Sequence, residues 1–197
     1  NNYFWVFDNT RCNVISGNYS MAVSINTPVT SGTLPEYRTT RVSSTFVYHT
    51  TPIDATNFTN LTLDFNWICE GETGFDYGSV LYSLDATNWS TLPGVYQGQN
   101  TFQNVTNLDL SVLDGQIFYL AFGWNNDSSL GSFPGFIVDD IDVKGTPLSA
   151  CTTPNQPTGL NLTPTNNTII GSFNNAAPIP DNYLVLISTN ATPPTPV

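Results

Sequence analysis

The sequence predicts an all-β protein, in which an antiparallel jelly-roll β-sandwich is followed by part of a second sandwich. The chain shows no helical periodicity, and short runs of β-branched and aromatic residues are separated by Gly, Pro, Asn and Asp. Its 12 Phe, 9 Tyr and 4 Trp supply enough apolar surface for a sizeable core. The length of 197 residues suits one domain of about 150 residues and a remainder.

Seven strands are predicted in the first part of the chain. Alternation is clearest in the third, where the apolar residues Leu61, Leu63, Phe65 and Trp67 are separated by polar ones. Strands at this spacing over about 140 residues favour jelly-roll connections. The predicted strands are Tyr19–Ile25, Ser44–His49, Thr59–Ile68, Ser79–Ser83, Gln99–Asn104, Gln116–Trp124 and Phe136–Val143.

A Pro-rich segment divides the chain into a first domain, 1–145, a linker, 146–157, and a second domain, 158–197. The linker is rich in Pro and small polar residues and has no periodicity. The runs "TGLNLTPT", "TIIGSFN" and "NYLVLIST" then predict three strands of a different sandwich. Because a seven-strand sandwich needs roughly 100 residues, we expect the second domain to be incomplete here and the chain to be a fragment of a multi-module protein.

Composition excludes several partners. The formal net charge is −11 and the chain has only four Lys and Arg residues, which cannot form a phosphate-neutralising patch. We therefore expect neither nucleic-acid binding nor attraction to anionic membranes. No run of 18 apolar residues predicts a membrane span. Low charge with abundant Asn, Thr and Ser favours a secreted or cell-surface location.

No motif predicts catalysis. His49 is the only histidine, and nothing places a Ser or Cys nucleophile beside it in the alternating run "FVYHT". The G-x-S-x-G, H-E-x-x-H and Gly-rich phosphate-loop patterns are absent from the sequence. We therefore expect a protein that is not an enzyme.

The three cysteines leave two alternatives open. Cys12 and Cys69 can form a disulfide in an oxidising compartment, with Cys151 free or paired elsewhere. Alternatively, the cysteines are buried free thiols.

Four sequence blocks resemble the jelly-roll modules of secreted Bacteroidetes surface proteins that are related to MAM domains and to cleaved adhesin domains. They are "SGNYSMAVS", "VYHTTPIDATNFTNLTLDFNW", "DYGSVLYSLDATNWSTL", and "FYLAFGW" with "GFIVDDIDVKG", in the family's order over about residues 3–145. One departure is the hairpin that normally carries Asp-Gly, which reads Asp85-Ala86-Thr87-Asn88 here. The segment after the linker resembles the first half of a fibronectin type III-like domain, which commonly follows such jelly rolls in proteins exported by the type IX system.

The resemblance implies a structural Ca²⁺ where the closing strand approaches the loop entering the first strand. Calcium takes six to eight oxygen ligands, and the predicted ligands are Asp8, Asn18, Asp139 and Asp140. Regular alternation places Asp139 and Asp140 on opposite faces, with Asp142 facing solvent. The alternative is that Asp139 caps backbone amides without a metal.

A second acidic cluster, in "CEGETGFDYG", predicts a weaker calcium site. Glu70, Glu72 and Asp76 lie within seven residues of a Gly-rich turn, whose carbonyls can converge with the carboxylates. An exposed acidic loop is the alternative.

Trp124, Asn125 and Asp127 are the predicted ligand-binding residues, because they begin the long polar segment "GWNNDSSLGSFPG". A tryptophan there can stack on a sugar, with packing in the core as the alternative. By contrast, we expect Trp67 in the core and Trp89 packed on its hairpin.

The function expected from these observations is a non-catalytic adhesion or binding module of a larger bacterial adhesin, of gliding or attachment type. Its expected partners are glycans or surface proteins and further modules of the same polypeptide. The alternatives are an accessory carbohydrate- or substrate-targeting domain of a secreted hydrolase, and a structural spacer in a surface filament.

Overall fold

The computed structural model describes residues 4–8, 14–25, 34–148, 155–180 and 182–183. The chain divides into two units, Asn1–Leu148 and Ser149–Val197. Apart from one 3₁₀ turn, Ser111–Leu113, every regular element in the described residues is a β-strand. None of the described residues forms a helix that could cross a membrane.

The first unit contains all seven predicted strands, and three more that were not predicted. The additional strands are β1, which forms a sheet edge, and the two-residue strands β4 and β7. The elements are β1 (Phe4–Asp8), β2 (Ser20–Ser24), β3 (Val42–Tyr48), β4 (Ile53–Asp54), β5 (Phe58–Cys69), β6 (Tyr77–Ser83), β7 (Ser90–Thr91), β8 (Gln99–Asp109), β9 (Ile117–Asp127) and β10 (Ile137–Pro147).

These strands form two antiparallel sheets. Sheet A has the order β1-β2-β10-β5-β8, and sheet B has the order β3-β9-β6-β7, with β4 paired to β9. Except from β1 to β2, from β3 to β4 and from β6 to β7, the chain passes to the other sheet between consecutive strands. Strands that are neighbours in a sheet are therefore mostly distant in sequence.

The facing sides of the two sheets share one apolar core, so the unit is a β-sandwich. The alternating residues of β5 are buried in this core, which confirms the prediction from their pattern. Phe65 of sheet A meets Phe122 of sheet B with ring centroids 5.4 Å apart, and Tyr96 stacks on Phe136 at 5.8 Å. Gly78 lies under the Phe136 ring, where the Cβ of any other residue would overlap it.

Cys69 is a free thiol, fully buried in the core. Burial raises the pKa of this thiol because the thiolate loses its hydration. The sequence left open whether Cys69 forms a disulfide or is a buried free thiol, and in the structure it is a buried free thiol. Cys12 and Cys151 lie outside the described residues.

The first unit extends into the predicted linker. Strand β10 continues to Pro147, and the Leu148 amide donates to the Asn57 carbonyl at 2.8 Å. Residues 146–147 are therefore part of the closing strand, and the linker prediction is wrong for them. Residues 149–154 lie outside the described part of the chain.

The described part of the second unit is an antiparallel hairpin of β11 (Thr158–Pro164) and β12 (Ile169–Asn174). The Thr165 amide donates to the Thr168 carbonyl at 2.7 Å and closes the turn. The ring of Tyr183 packs on Phe173 with centroids 5.0 Å apart. Two of the three strands predicted in this unit are therefore present, and the third falls mostly on residues outside the described ranges.

Candidate functional site

A β-bulge interrupts the closing strand β10 at its acidic run. Asp139 pairs with Asn66 and Asp142 pairs with Asp64, so β10 carries one residue more than β5 over this interval. Asp140 has φ +50°, a left-handed conformation that aspartate tolerates better than most residues. The expectation of regular alternation through this strand is therefore wrong.

The bulge keeps the strand apolar on its inner side. Val138 is buried in the core and Val143 packs against that core, although their positions differ by five and regular alternation would put them on opposite faces. The extra residue in the bulge brings both valines to the inner face of the strand. It also turns the exposed Asp140 outwards.

Asp139 is only 6% exposed and is fully engaged by backbone amides. Its Oδ2 accepts hydrogen bonds from the amides of Ile15 at 2.6 Å and Ser16 at 3.4 Å, and its Oδ1 accepts from the Asp140 amide at 2.8 Å. A buried carboxylate needs such partners, because desolvation without them is costly. The closing strand is thus joined to the segment that enters β2.

Asp140 also joins the closing strand to its neighbours, through hydrogen bonds on the exposed side of the sheet. Its Oδ1 accepts from the Ser16 hydroxyl, and its Oδ2 accepts from Asn66 Nδ2 at 2.8 Å. Asn66 Oδ1 in turn accepts from Asn104 Nδ2 at 2.8 Å. A chain of polar groups therefore crosses the outer face of sheet A from β10 to β8.

The other predicted calcium ligands are less closely grouped. Asn18 is exposed on the segment before β2, and the backbone of Asp8 pairs with Ser20, but the Asp8 side chain lies outside the described atoms. Asp142 is exposed, as predicted, and lies 3.7 Å from Lys144 Nζ. Within the described ranges, no three acidic, His or Cys side chains converge in a geometry that could hold a metal.

Glu70, Glu72 and Asp76 do not form the exposed acidic loop that was the alternative to a second metal site. Asp76 is fully buried and accepts hydrogen bonds from the Tyr37 hydroxyl at 2.5 Å, the Glu72 amide at 3.1 Å and the Asp127 amide at 3.3 Å. Burial raises the pKa of Asp76 by more than these donors lower it. The pKa of Tyr37 is raised too, first by burial and then by the hydrogen bond to Asp76.

The two glutamates bind the loop that follows β9. Glu72 Oε2 accepts from the Ser129 hydroxyl at 2.5 Å and from the Leu130 amide at 3.0 Å. The Glu70 amide donates to the Pro134 carbonyl at 3.0 Å. The acidic segment therefore holds the long polar loop against the sandwich.

Trp124 is fully buried, so it does not present a ring to a ligand and the prediction that it does is wrong. Its ring lies 4.8 Å from that of Tyr37, edge to face. The reason is that β9 continues to Asp127, which leaves Trp124 in the inward register of the strand. Asn125 faces outwards and is half-buried, and Asp127 Oδ1 accepts from the Ser129 amide at 2.9 Å.

Aromatic side chains that were not predicted as a site meet on the outer face of sheet B. Trp89 lies 5.1 Å from Phe46 and 5.0 Å from Tyr48, and Tyr48 lies 6.1 Å from Tyr119, measured between ring centroids. Phe46 is 44% and Tyr48 37% exposed. We call these four residues the sheet B aromatic cluster. The sequence signal was the pair of aromatic residues two apart in β3, on one face of the strand.

The hydrogen-bond partner of His49 among the described residues is local. Its Nδ1 lies 3.2 Å from the Thr51 amide and 3.1 Å from the Thr51 carbonyl, and the side chain is exposed. No Ser or Cys side chain is hydrogen-bonded to it among the described residues.

A scan against models of known protein families finds no match to this chain, and no curated protein matches it either.

Proposed function

We propose that this chain is a non-catalytic adhesion module of a larger bacterial surface protein, of gliding or attachment type. The observation that carries the proposal is the sheet B aromatic cluster, whose rings contact one another and remain partly exposed on the outer face of sheet B. Exposed aromatic residues are enriched at binding surfaces, because they bury much apolar area at little cost in conformational entropy.

The order of the strands supports a jelly roll. The four strands β2, β10, β5 and β8 lie in one sheet and β3, β9, β6 and β7 in the other, and except from β6 to β7 the chain alternates between these two sets. We assign the hairpin of the second unit to the start of a fibronectin type III-like domain. Serial β modules of this kind suit a secreted protein exported by the type IX system.

A structural Ca²⁺ beside the β10 bulge is part of the proposal. Asp139, Asp140 and the Ser16 hydroxyl place carboxylate and hydroxyl oxygens close together, which is the ligand chemistry that calcium prefers, and an ion there would replace some of the hydrogen bonds that N–H groups now donate to the two carboxylates. With Asp8 and Asn18, the ion would tie the closing strand to the segment entering β2.

Thermal unfolding with calcium and with EDTA tests the ion. Calcium at a hundredfold excess over its Kd should stabilise the folded protein by about 2.7 kcal/mol. Asp140→Asn should abolish this response, whereas Asp142→Asn, at an exposed position beside the site, should keep it. The same unfolding midpoint in calcium and in EDTA would rule the ion out.

Adhesion is tested with beads coated with the protein and applied to surfaces carrying glycans, proteins or bare polymer. We expect the coated beads to adhere to at least one of these surfaces, and to release when Phe46 and Trp89 are both changed to Ser. A protein that adheres to none of them would support the spacer instead. Adhesion confined to polysaccharides, together with a catalytic domain elsewhere in the polypeptide, would favour the accessory domain of a secreted hydrolase.

A further inference from the structure

We propose that the outer face of sheet B binds a chain of neutral sugars. This inference rests on the proposed binding function and names the ligand class of the same surface. It assigns the stacking role to Phe46, Tyr48 and Trp89, and a hydrogen-bonding role to Asn125.

The strand register defines what this face contains. Residues directly opposite in antiparallel strands point to the same side of the sheet. Three rows therefore lie next to one another on the outer face. They are Ser44, Asn125 and Tyr77; Phe46, Gly123 and Ser79; and Tyr48, Ala121 and Leu81.

These rows combine two kinds of group that a sugar requires. The rings of Phe46, Tyr48 and Trp89 offer apolar faces, on which the C–H side of a pyranose can pack. The hydroxyl of Ser44 and the amide of Asn125 stand in the neighbouring row, where they can meet sugar hydroxyl groups. Aromatic and hydroxyl or amide groups thus lie side by side on one face.

Small residues at the centre of the face leave space for a neighbouring side chain. Ala121 and Gly123 occupy consecutive outward positions of β9, between the strand that carries Phe46 and Tyr48 and the strand that carries Leu81. A Cβ at Gly123 would lie 2.8 Å from Leu81 Cδ1, so the glycine lets Leu81 lie across the sheet. Ala121 is fully buried, so an extended chain would cross this part of the face on the Leu81 side chain and not on β9 itself.

Charge selects a neutral ligand. None of the nine residues in the three rows is acidic or basic. The whole chain carries a net charge of −11, which disfavours polyanions such as uronic acid polymers. With no carboxylate in the rows to pair with an amine, an uncharged saccharide is the ligand whose chemistry this face complements.

The Trp89 ring is held in place before any ligand arrives. Its turn is fixed by Asp85, whose Oδ1 accepts from the amides of Thr87 at 2.8 Å and Asn88 at 2.7 Å. Asp85 Oδ2 also accepts from Asn88 Nδ2 at 2.8 Å. Preorganisation of this kind favours affinity, because less conformational entropy is lost on binding.

The test measures binding to soluble xylan, mannan, starch and mixed-linkage glucan, with polygalacturonate as the charged comparison. We expect at least one neutral polymer to bind better than polygalacturonate. Trp89→Ala and Asn125→Ala should each weaken that binding about tenfold, which is the range of a well-placed contact. Phe75→Ala is the matched control, because Phe75 is a 54% exposed aromatic residue that belongs to none of the three rows, and this variant should bind as the unchanged protein does.

Trp89→Tyr keeps a ring at the same position, and it should retain most of the binding while showing that the turn still folds. If the protein binds no neutral polysaccharide but the coated beads still adhere to a protein surface through Phe46 and Trp89, the sugar assignment is wrong and the adhesion function stands. If neither polysaccharides nor any coated surface is bound, both fail. Equal loss in the Phe75 control would also overturn the assignment of this face.

Discussion

The hydroxyl of Tyr37 donates a hydrogen bond to Asp76 Oδ2 at 2.5 Å, and both side chains are buried. Tyr37 precedes β3, and Asp76 immediately precedes β6. Gly131, from the loop after β9, lies against both, and a Cβ there would overlap the tyrosine hydroxyl. The pair therefore joins three separate segments at one end of the sandwich.

Removing the hydroxyl should destabilise the fold. In Tyr37→Phe, Asp76 stays buried but has only the amides of Glu72 and Asp127 as donors. We expect a loss of about 1–3 kcal/mol in the free energy of unfolding, measured with urea. Tyr19→Phe, at an exposed tyrosine, should change it by less than about 0.5 kcal/mol. Equal effects of the two changes would show that the bond contributes nothing.

Asp76 should also make stability depend on pH. Because burial raises its pKa in the folded state above the unfolded value of about 3.9, the folded protein binds a proton more readily there. The contribution of Asp76 to stability should therefore increase as the pH falls from neutral towards about 4. The measurement is the difference in unfolding free energy between the unchanged protein and Asp76→Asn across that range.

The comparison with Asp76→Asn is needed because other carboxylates change the unfolding free energy with pH in the opposite direction. Hydrogen bonds lower the pKa values of Asp54, Asp85 and Asp109, so their stabilisation is lost as the pH falls. A difference curve for Asp76 that is flat, or that rises with pH, would contradict the assignment.

The left-handed backbone at Asp140 should discriminate between substitutions. Asp140→Asn keeps a residue that tolerates φ +50°, whereas Asp140→Val places a β-branched side chain in that conformation. We expect the valine variant to be less stable than the asparagine variant by at least about 1–2 kcal/mol. Urea unfolding in EDTA measures this without any contribution from calcium. Equal stability would mean that the bulge moves to another residue.

Cys69 should be protected from thiol reagents in the folded protein. Its sulfur is buried and its pKa is raised, so little thiolate forms and none is accessible. Alkylation at pH 8 followed by peptide mass spectrometry should leave Cys69 unmodified in buffer and modify it in urea. A disulfide-linked peptide containing Cys12 and Cys69, isolated without reduction, would contradict the free thiol.

The all-β class and the position of each long strand except β1 were predictable, because inward and outward residues alternate regularly in strands such as β5. The bulge in β10 was not, since an acidic run gives no sign of where an extra residue falls. The one available signal was the odd spacing of Val138 and Val143, two residues that both reach the core.

The candidate site was harder to predict because it depends on contacts between distant segments. Trp124 is followed by Asn-Asn-Asp, which is typical of a loop, yet the strand continues because these residues pair with β3, and Asn126 Nδ2 donates to the carbonyls of Arg38 at 3.1 Å and Arg41 at 2.6 Å. Phe46 and Trp89 come together only because sheet B brings their segments side by side. The aromatic pair Phe46 and Tyr48 of β3 is the local sign of the cluster, but the contacts themselves cannot be read from the local sequence.

The position of β10 at the centre of sheet A has a consequence for biosynthesis. It is the last strand of its unit in the sequence, yet it lies between β2 and β5, with Ile137 opposite both Ala22 and Ile68. A chain made from its N-terminus therefore presents two unpaired strand edges until residue 147 has emerged, and such edges are prone to pair with other chains. Sheet A is completed last at its middle, so synthesis that stops before β10 leaves two separated strand pairs instead of a smaller sandwich.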